Sequence, residues 1–188
     1  STISLDAAFA QDDGERPFDA RNKQIGFFVN ASNCSNCGEC VRACRKHSAT
    51  PEDMPSRRKI VIYGDEDNGG LYVSTSCMHC VEPACLKVCP AGAISKGVGG
   101  IVSVDGNRCI GCKYCYQACP FSVPHYGSYG MDKCDCCLGN GVKAGDTPYC
   151  VRACKFDALH YGLMDDLMAE NPDAKRLQGS TDPSMLLA

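Results

Sequence analysis

Sixteen of the seventeen cysteines in this 188-residue chain fall into four blocks of four, each ending in CxxxC. The blocks are Cys34, Cys37, Cys40 and Cys44; Cys77, Cys80, Cys85 and Cys89; Cys109, Cys112, Cys115 and Cys119; and Cys134, Cys137, Cys150 and Cys154. Thiolates at this spacing suit cubane iron-sulfur clusters, which take three ligands from a tight loop and a fourth from elsewhere in the chain. Four blocks imply four 4Fe-4S clusters.

The third block, CIGCKYCYQACP, fits the run CxxCxxCxxxCP residue for residue. In that run the first three cysteines hold one cluster and the fourth holds its neighbour, so sites come in pairs. Pro90 and Pro120 follow Cys89 and Cys119 and turn the chain away from the cluster. Two other readings fit less well. A disulfide scaffold conflicts with the odd cysteine count, the repeated CxxC and the chain length. Zinc held by four thiolates pairs two CxxC knuckles, whereas blocks one and three put three cysteines into one short loop.

The elements that must position these ligands are short. GFFVN at residues 26–30 reads as a strand entering the first loop, and IVIYG, DEDNGG and LYVST read as a hairpin beside the clusters. Residues 93–95 and 101–104, joined through KGVGG, form a second expected hairpin. A short helix is expected after the third ligand of each block, with the two cysteines of CxxxC one turn apart on one face. After Gly162 the sequence offers one helix stopped near Pro172, then an extended end that is either solvated or docked. The internal repeat makes two dicluster units. Which blocks pair is left open by the spacing, although only blocks two and three end in CP.

Composition agrees with a cluster-filled interior. The apolar share is 44%, and roughly 35% with the cysteines set aside, which is low for an ordinary core. With no Trp, 19 Gly and 10 Pro, the chain reads as loops stabilised by metal-ligand bonds, so the apoprotein is expected not to fold. The formal charge is -3, and four cubanes at about -2 each would bring it to about -11. Arg42, Arg45, Lys46, Lys87, Lys113, Arg152 and Lys155 lie beside the ligands and are candidates to offset that charge. No basic run is dense enough for nucleic acid. No segment is long and apolar enough to span a bilayer, and STISLDAAFAQDDGERPFD has neither a basic n-region nor an apolar core. The expectation is a soluble chain without an address of its own, assembled in the reducing cytoplasm. The final side of the membrane stays open.

The order of spacings, with FVNASNCSNCGECVRAC, CMHCVEPACLKVCPAGAI, CIGCKYCYQACPFSVPHY, KCDCCLGN and TPYCVRAC, resembles the electron-transfer iron-sulfur (beta) subunit of dimethyl-sulfoxide-reductase-type molybdenum or tungsten oxidoreductases. The likeness runs from about Gly26 to Gly162. It implies that Cys34, Cys37, Cys40 and Cys154 bind one cluster and that Cys134, Cys137, Cys150 and Cys44 bind its neighbour. It likewise implies a third cluster on Cys77, Cys80, Cys85 and Cys119 and a fourth on Cys109, Cys112, Cys115 and Cys89. Some relatives replace a third-block cysteine and hold three irons there; all four are present here. The fold class expected is α+β, two bacterial-ferredoxin-like dicluster units with short hairpins, short helices and many loops. Residues 1–23 would be an arm, 24–76 with 130–162 an outer unit carrying an inserted hairpin, 77–129 an inner unit and 163–188 a tail.

This chain departs from the family pattern in having Lys155 after Cys154, where a proline is usual, and an extra cysteine, Cys136. Cys136 reads as a spare buried thiol, with ligand exchange as the other option. His79, inside CMHC, is a possible iron ligand as in Rieske centres, but four cysteines surround it. Tyr114, Tyr116, Phe121 and Tyr126 are expected to pack over clusters and exclude water. No constellation suggests substrate chemistry, so the chain is expected to be a non-catalytic relay of single electrons. The implied partner is a large molybdopterin or tungstopterin catalytic subunit, with a membrane anchor subunit or soluble electron carrier as a further option. The rival readings are a free-standing polyferredoxin and a zinc-stabilised interaction module.

Overall fold

The computed structural model describes residues 23–48, 50, 52–64, 69–128 and 130–188. The expected N-terminal arm, apart from Lys23, lies outside the described residues.

Ile25–Val29 (β1) is buried at every position, as an apolar run without polar alternation must be. It is the second strand of a four-stranded sheet ordered β8-β1-β10-β9, in which β8 is Leu159–Leu163, β9 Lys175–Arg176 and β10 Met185–Leu187. β1 runs antiparallel to β8, with Ile25 opposite Leu163, and parallel to β10, with Phe27 opposite Met185. Ile25, Phe27 and Val29 pack with Cys40, Cys44, Cys136 and Cys150, while Phe28 packs with Met164, Leu167 and Leu186. The period of two thus gives the sheet a sulfur-rich face and an aliphatic face. At Gly26 a Cβ would run into Met164 Sδ and the Ser184 carbonyl, so the close approach of β10 requires glycine.

Met164–Glu170 (α5) is the helix expected in the tail; it covers the aliphatic face and ends at Asn171, before Pro172. The end of the tail is docked. Residues 181–184 also run along the second cysteine block, where Val81 N–H donates to the Asp182 carbonyl at 2.8 Å and Ser184 N–H to the Met78 carbonyl at 2.9 Å.

Both expected hairpins form. Lys59–Tyr63 (β2) pairs with Leu71–Thr75 (β3), although residues 65–68 of its turn lie outside the described residues. Ile94–Lys96 (β4) pairs with Val102–Val104 (β5). A third hairpin, His125–Gly127 (β6) with Gly130–Asp132 (β7), was not legible in the sequence and straddles the suggested boundary after residue 129.

Each block contributes a helix: Glu39–Ser48 (α1), Ala84–Lys87 (α2), Tyr114–Ala118 (α3) and Tyr149–Arg152 (α4). These contain the third cysteine; they do not follow it. Only in α1 do both cysteines of CxxxC, Cys40 and Cys44, share one helical face. The other three helices stop before the fourth cysteine, which corrects the expectation. At Cys119 the backbone is already extended, with φ -84° and ψ 113°, because the proline that follows disfavours helical dihedrals in the residue before it.

Candidate metal centre

The four CxxC turns repeat in backbone as well as in sequence. In each, the residue just before the second cysteine is left-handed: Asn36 at φ 56°, His79 at 41°, Gly111 at 68° and Cys136 at 55°. Such a turn points backbone N–H groups back toward the first sulfur, and Cys136 N–H indeed lies 3.4 Å from Cys134 Sγ. Glycine and asparagine accept this conformation readily; histidine and cysteine do so only where their surroundings hold them.

All seventeen cysteines are free thiols. Cys34, Cys37, Cys40 and Cys154 line one hollow together with Ile60, Ala158 and Leu159. Cys89, Cys109, Cys112 and Cys115 line another, with Ile94, Val104 and Met131. Cys44 lies against Cys134, Cys137 and Cys150, and Cys85 against Cys77, Cys80 and Cys119. In every group one sulfur comes from a different block than the other three.

The chemistry of these groups fits an anionic iron-sulfur centre. Backbone N–H groups of Ala93 and Met131 donate to Cys89 Sγ at 3.3 Å and Cys109 Sγ at 3.4 Å. Hydroxyls of Ser74 and Tyr126 lie 3.2 Å from Cys40 Sγ and 2.9 Å from Cys115 Sγ. Burial pushes Cys44 and Cys85 up to about 12 and Cys137 up to about 11, so without metal these groups keep their protons, and iron must displace them.

Two buried cations supply the complementary charge. Arg58 is 1% exposed, donates to the Ser74 carbonyl and hydroxyl and to Ser76 Oγ at 2.9–3.2 Å, and lies 4.6 Å over the Phe27 ring. Its Nε has no partner. Lys133, 2% exposed, donates to the carbonyls of Val102 and Cys134 and reaches Cys77 Sγ at 3.5 Å. Neither forms a salt bridge with a carboxylate among the described residues. A buried charge without a counter-ion is costly, and the groups that favour the charged form of Arg58 are the sulfurs of Cys150, Cys134, Cys40 and Cys44, which become anionic when iron displaces their protons. Burial opposes ionisation of Cys77, but His79 and Lys133 outweigh it and bring the thiol down to about 6.

The sequence pointed to other cations. Arg42 pairs with Glu39 at 2.9 Å, Lys87 with Glu82 at 2.7 Å and Lys155 with Glu39 at 3.8 Å, all at the surface. Arg45 donates to the Met54 carbonyl, while Arg152 and Lys113 lie over the rings of Tyr149 and Tyr126. Arg58 and Lys133 were missed because burial is not written in local sequence; the one available signal is that Lys133 adjoins Cys134.

Tyr114 and Tyr116 are 57% and 47% exposed, which corrects the expectation that they shield a cluster. They flank Cys115 on α3, and neighbouring helical residues point about 100° apart, so an inward cysteine turns both outward. Tyr126 does line the sulfur hollow, and Phe121 packs against the core. His79 and Cys136, each 1% exposed, meet at 3.2 Å between Nε2 and Sγ. Val102 N–H donates to His79 Nδ1 at 3.0 Å. Burial disfavours the charged ring, while Cys77 and Cys134 favour it and raise its pKa; in the neutral ring, with Nδ1 accepting from Val102 N–H, the one proton is on Nε2.

Two families described as 4Fe-4S dicluster domain match the sequence, over residues 68–164 and 33–94. It is 45% identical over 128 residues to the B subunit of the anaerobic dimethyl sulfoxide reductase of Escherichia coli, covering 61% of this sequence and 62% of that protein. It is 37% identical over 139 residues to the B subunit of the Haemophilus influenzae anaerobic dimethyl sulfoxide reductase, covering 67% of each. It is 39% identical over 122 residues to the thiosulfate reductase electron transfer subunit of Salmonella typhi, covering 61% and 63%. The matched region thus spans about three fifths of the length of most of these relatives.

Proposed function

Because this protein belongs to the 4Fe-4S dicluster domain family, we propose that it relays single electrons between a large molybdopterin or tungstopterin catalytic subunit and an external donor or acceptor. Cys34, Cys37, Cys40 and Cys154 form the first ligand set, and Cys44, Cys134, Cys137 and Cys150 the second. Cys77, Cys80, Cys85 and Cys119 form the third, and Cys89, Cys109, Cys112 and Cys115 the fourth. Each 4Fe-4S cluster supplies a one-electron couple whose potential depends on nearby charge, hydrogen bonds to sulfur and exposure.

The observation that carries this reading is the match of four sulfur groups to two buried cations, Arg58 and Lys133, which form no salt bridge with a carboxylate among the described residues and are favoured in their charged form, against burial, chiefly by cysteine sulfurs. Exposure supports a direction through the molecule. Cys37 and Cys112 are exposed, so the first and fourth sets reach the surface, while all four cysteines of the second set are buried. Electrons would enter and leave at the two ends. Assembly in the cytoplasm belongs to the proposal, since buried thiols must meet iron unoxidised, and a membrane anchor subunit would be one external donor.

Prepared without oxygen, the protein is expected to be brown, with about sixteen irons and as many sulfides per molecule. A colourless protein, or one holding zinc, overturns the reading. Expressed with a pterin-bearing catalytic subunit, it is expected to co-purify. A fully iron-loaded protein that never does so supports the second reading, a free-standing polyferredoxin, which would use the same two exposed ends.

A further inference from the structure

Between the second and third ligand sets lies a buried group that neither set uses. His79 Nε2 is 3.2 Å from Cys136 Sγ, and a ring nitrogen of His79, Cys134 Sγ and Cys136 Sγ all lie within 4.8 Å of one another. The sulfur of Cys77 faces the same ring, and the Cys136 thiol points to Cys134. The ring is fixed from both sides. Val102 N–H occupies Nδ1, and the His79 carbonyl accepts from Gln24 Nε2 at 2.8 Å and Ser184 Oγ at 3.0 Å. These contacts hold histidine at φ 41°, a backbone region that only a few per cent of non-glycine residues visit.

We infer that His79 is a positioning residue whose Nε2–H is shared among the sulfurs of Cys77, Cys134 and Cys136, coupling the second and third ligand sets across the junction of the two dicluster units. The inference rests on the ligand sets proposed above. Cys77 belongs to one set and Cys134 to the other, so one donor stabilises added negative charge on both. Cys136 extends the contact by donating its S–H to Cys134. It occupies the turn position that Asn36, His79 and Gly111 fill in the other loops, none of which belongs to a ligand set, and so acts beside the iron site without binding iron. Both protons stay in place in either charge state. Hydrogen bonds to sulfur favour the reduced form and raise its potential.

The test is an anaerobic redox titration of the complete iron-loaded protein followed by electron paramagnetic resonance. His79→Asn suits the left-handed backbone and keeps an acceptor for Val102 N–H but withdraws the donor. Two of the four midpoints should fall together while two stay put and iron is retained. His79→Gln, whose amide reaches the Nε2 position, should restore both. Cys136→Ala should keep all its iron and lower one midpoint only. The inference is overturned if His79→Asn moves no midpoint, moves a single one or moves all four, or if Gln fails to rescue. Should His79→Asn lose iron, Cys136→Ala decides: unchanged midpoints, or loss of a cluster, overturn the inference. Fewer than four couples in the unsubstituted protein would instead overturn the ligand sets, whereas four couples indifferent to both residues would overturn this inference alone.

Discussion

Arg58 shows how a single side chain can be shaped by a charge that the polypeptide itself does not carry. It is enclosed by Ser74, Ser76 and Phe27 and forms no salt bridge with a carboxylate among the described residues. Its guanidinium nonetheless stays charged: burial alone would lower its pKa, and the surrounding cysteine sulfurs raise it well above the usual range. Replacing it by methionine would leave the first and second ligand sets with uncompensated negative charge. Arg58→Met is expected to lower the midpoints of those two sets in a redox titration and to cost roughly 3–5 kcal/mol in anaerobic denaturant unfolding. The fourth set, remote from this cation, should keep its potential. Nothing local in Arg57-Arg58-Lys59 distinguishes the residues: Arg57 pairs with Asp132 and Asp135 at 2.7 and 3.1 Å, Lys59 is exposed, and only Arg58 turns inward.

The elements follow two different logics. Helices α2 to α4 have four or five residues each, too short to be stable by propensity, and serve to present the third sulfur of a block. Strand β10 works differently, since its three residues connect the tail to β1 while residues 181–184 hold the second cysteine loop in place. Leu186, 0% exposed between Phe28, Met164 and Leu167, anchors that connection. Leu186→Ala is expected to destabilise the iron-loaded protein by about 2–5 kcal/mol, seen as a lower midpoint of thermal unfolding. Because residues 181–184 of the tail hydrogen-bond to the backbone of the second block, the same variant should release iron from the third set first, detected as the early loss of one set of resonance signals on heating.

At the scale of the molecule, sulfur and apolar carbon share the interior. The largest core cluster mixes Ile25, Phe27, Val29 and Leu163 with Cys40, Cys44, Cys136 and Cys150, so the folding of the polypeptide and the filling of its metal sites are linked. The iron-free protein is expected to be digested rapidly by protease and to lose its cooperative thermal transition, while a compact, resistant iron-free form would refute that linkage. The sequence determined the sixteen sulfurs, two of the hairpins, the tail helix and the α+β class, because CxxC turns, apolar strand runs and helix-stopping prolines act over a few residues. Only the tertiary structure decided which cysteine of one block meets three from another, that Arg58 and Lys133 are buried while Tyr114 and Tyr116 are not, and that the tail closes the central sheet. Those outcomes depend on contacts between segments that can be more than a hundred residues apart, such as Ser184 with His79, and local sequence carries no record of what will lie on the other side of a side chain.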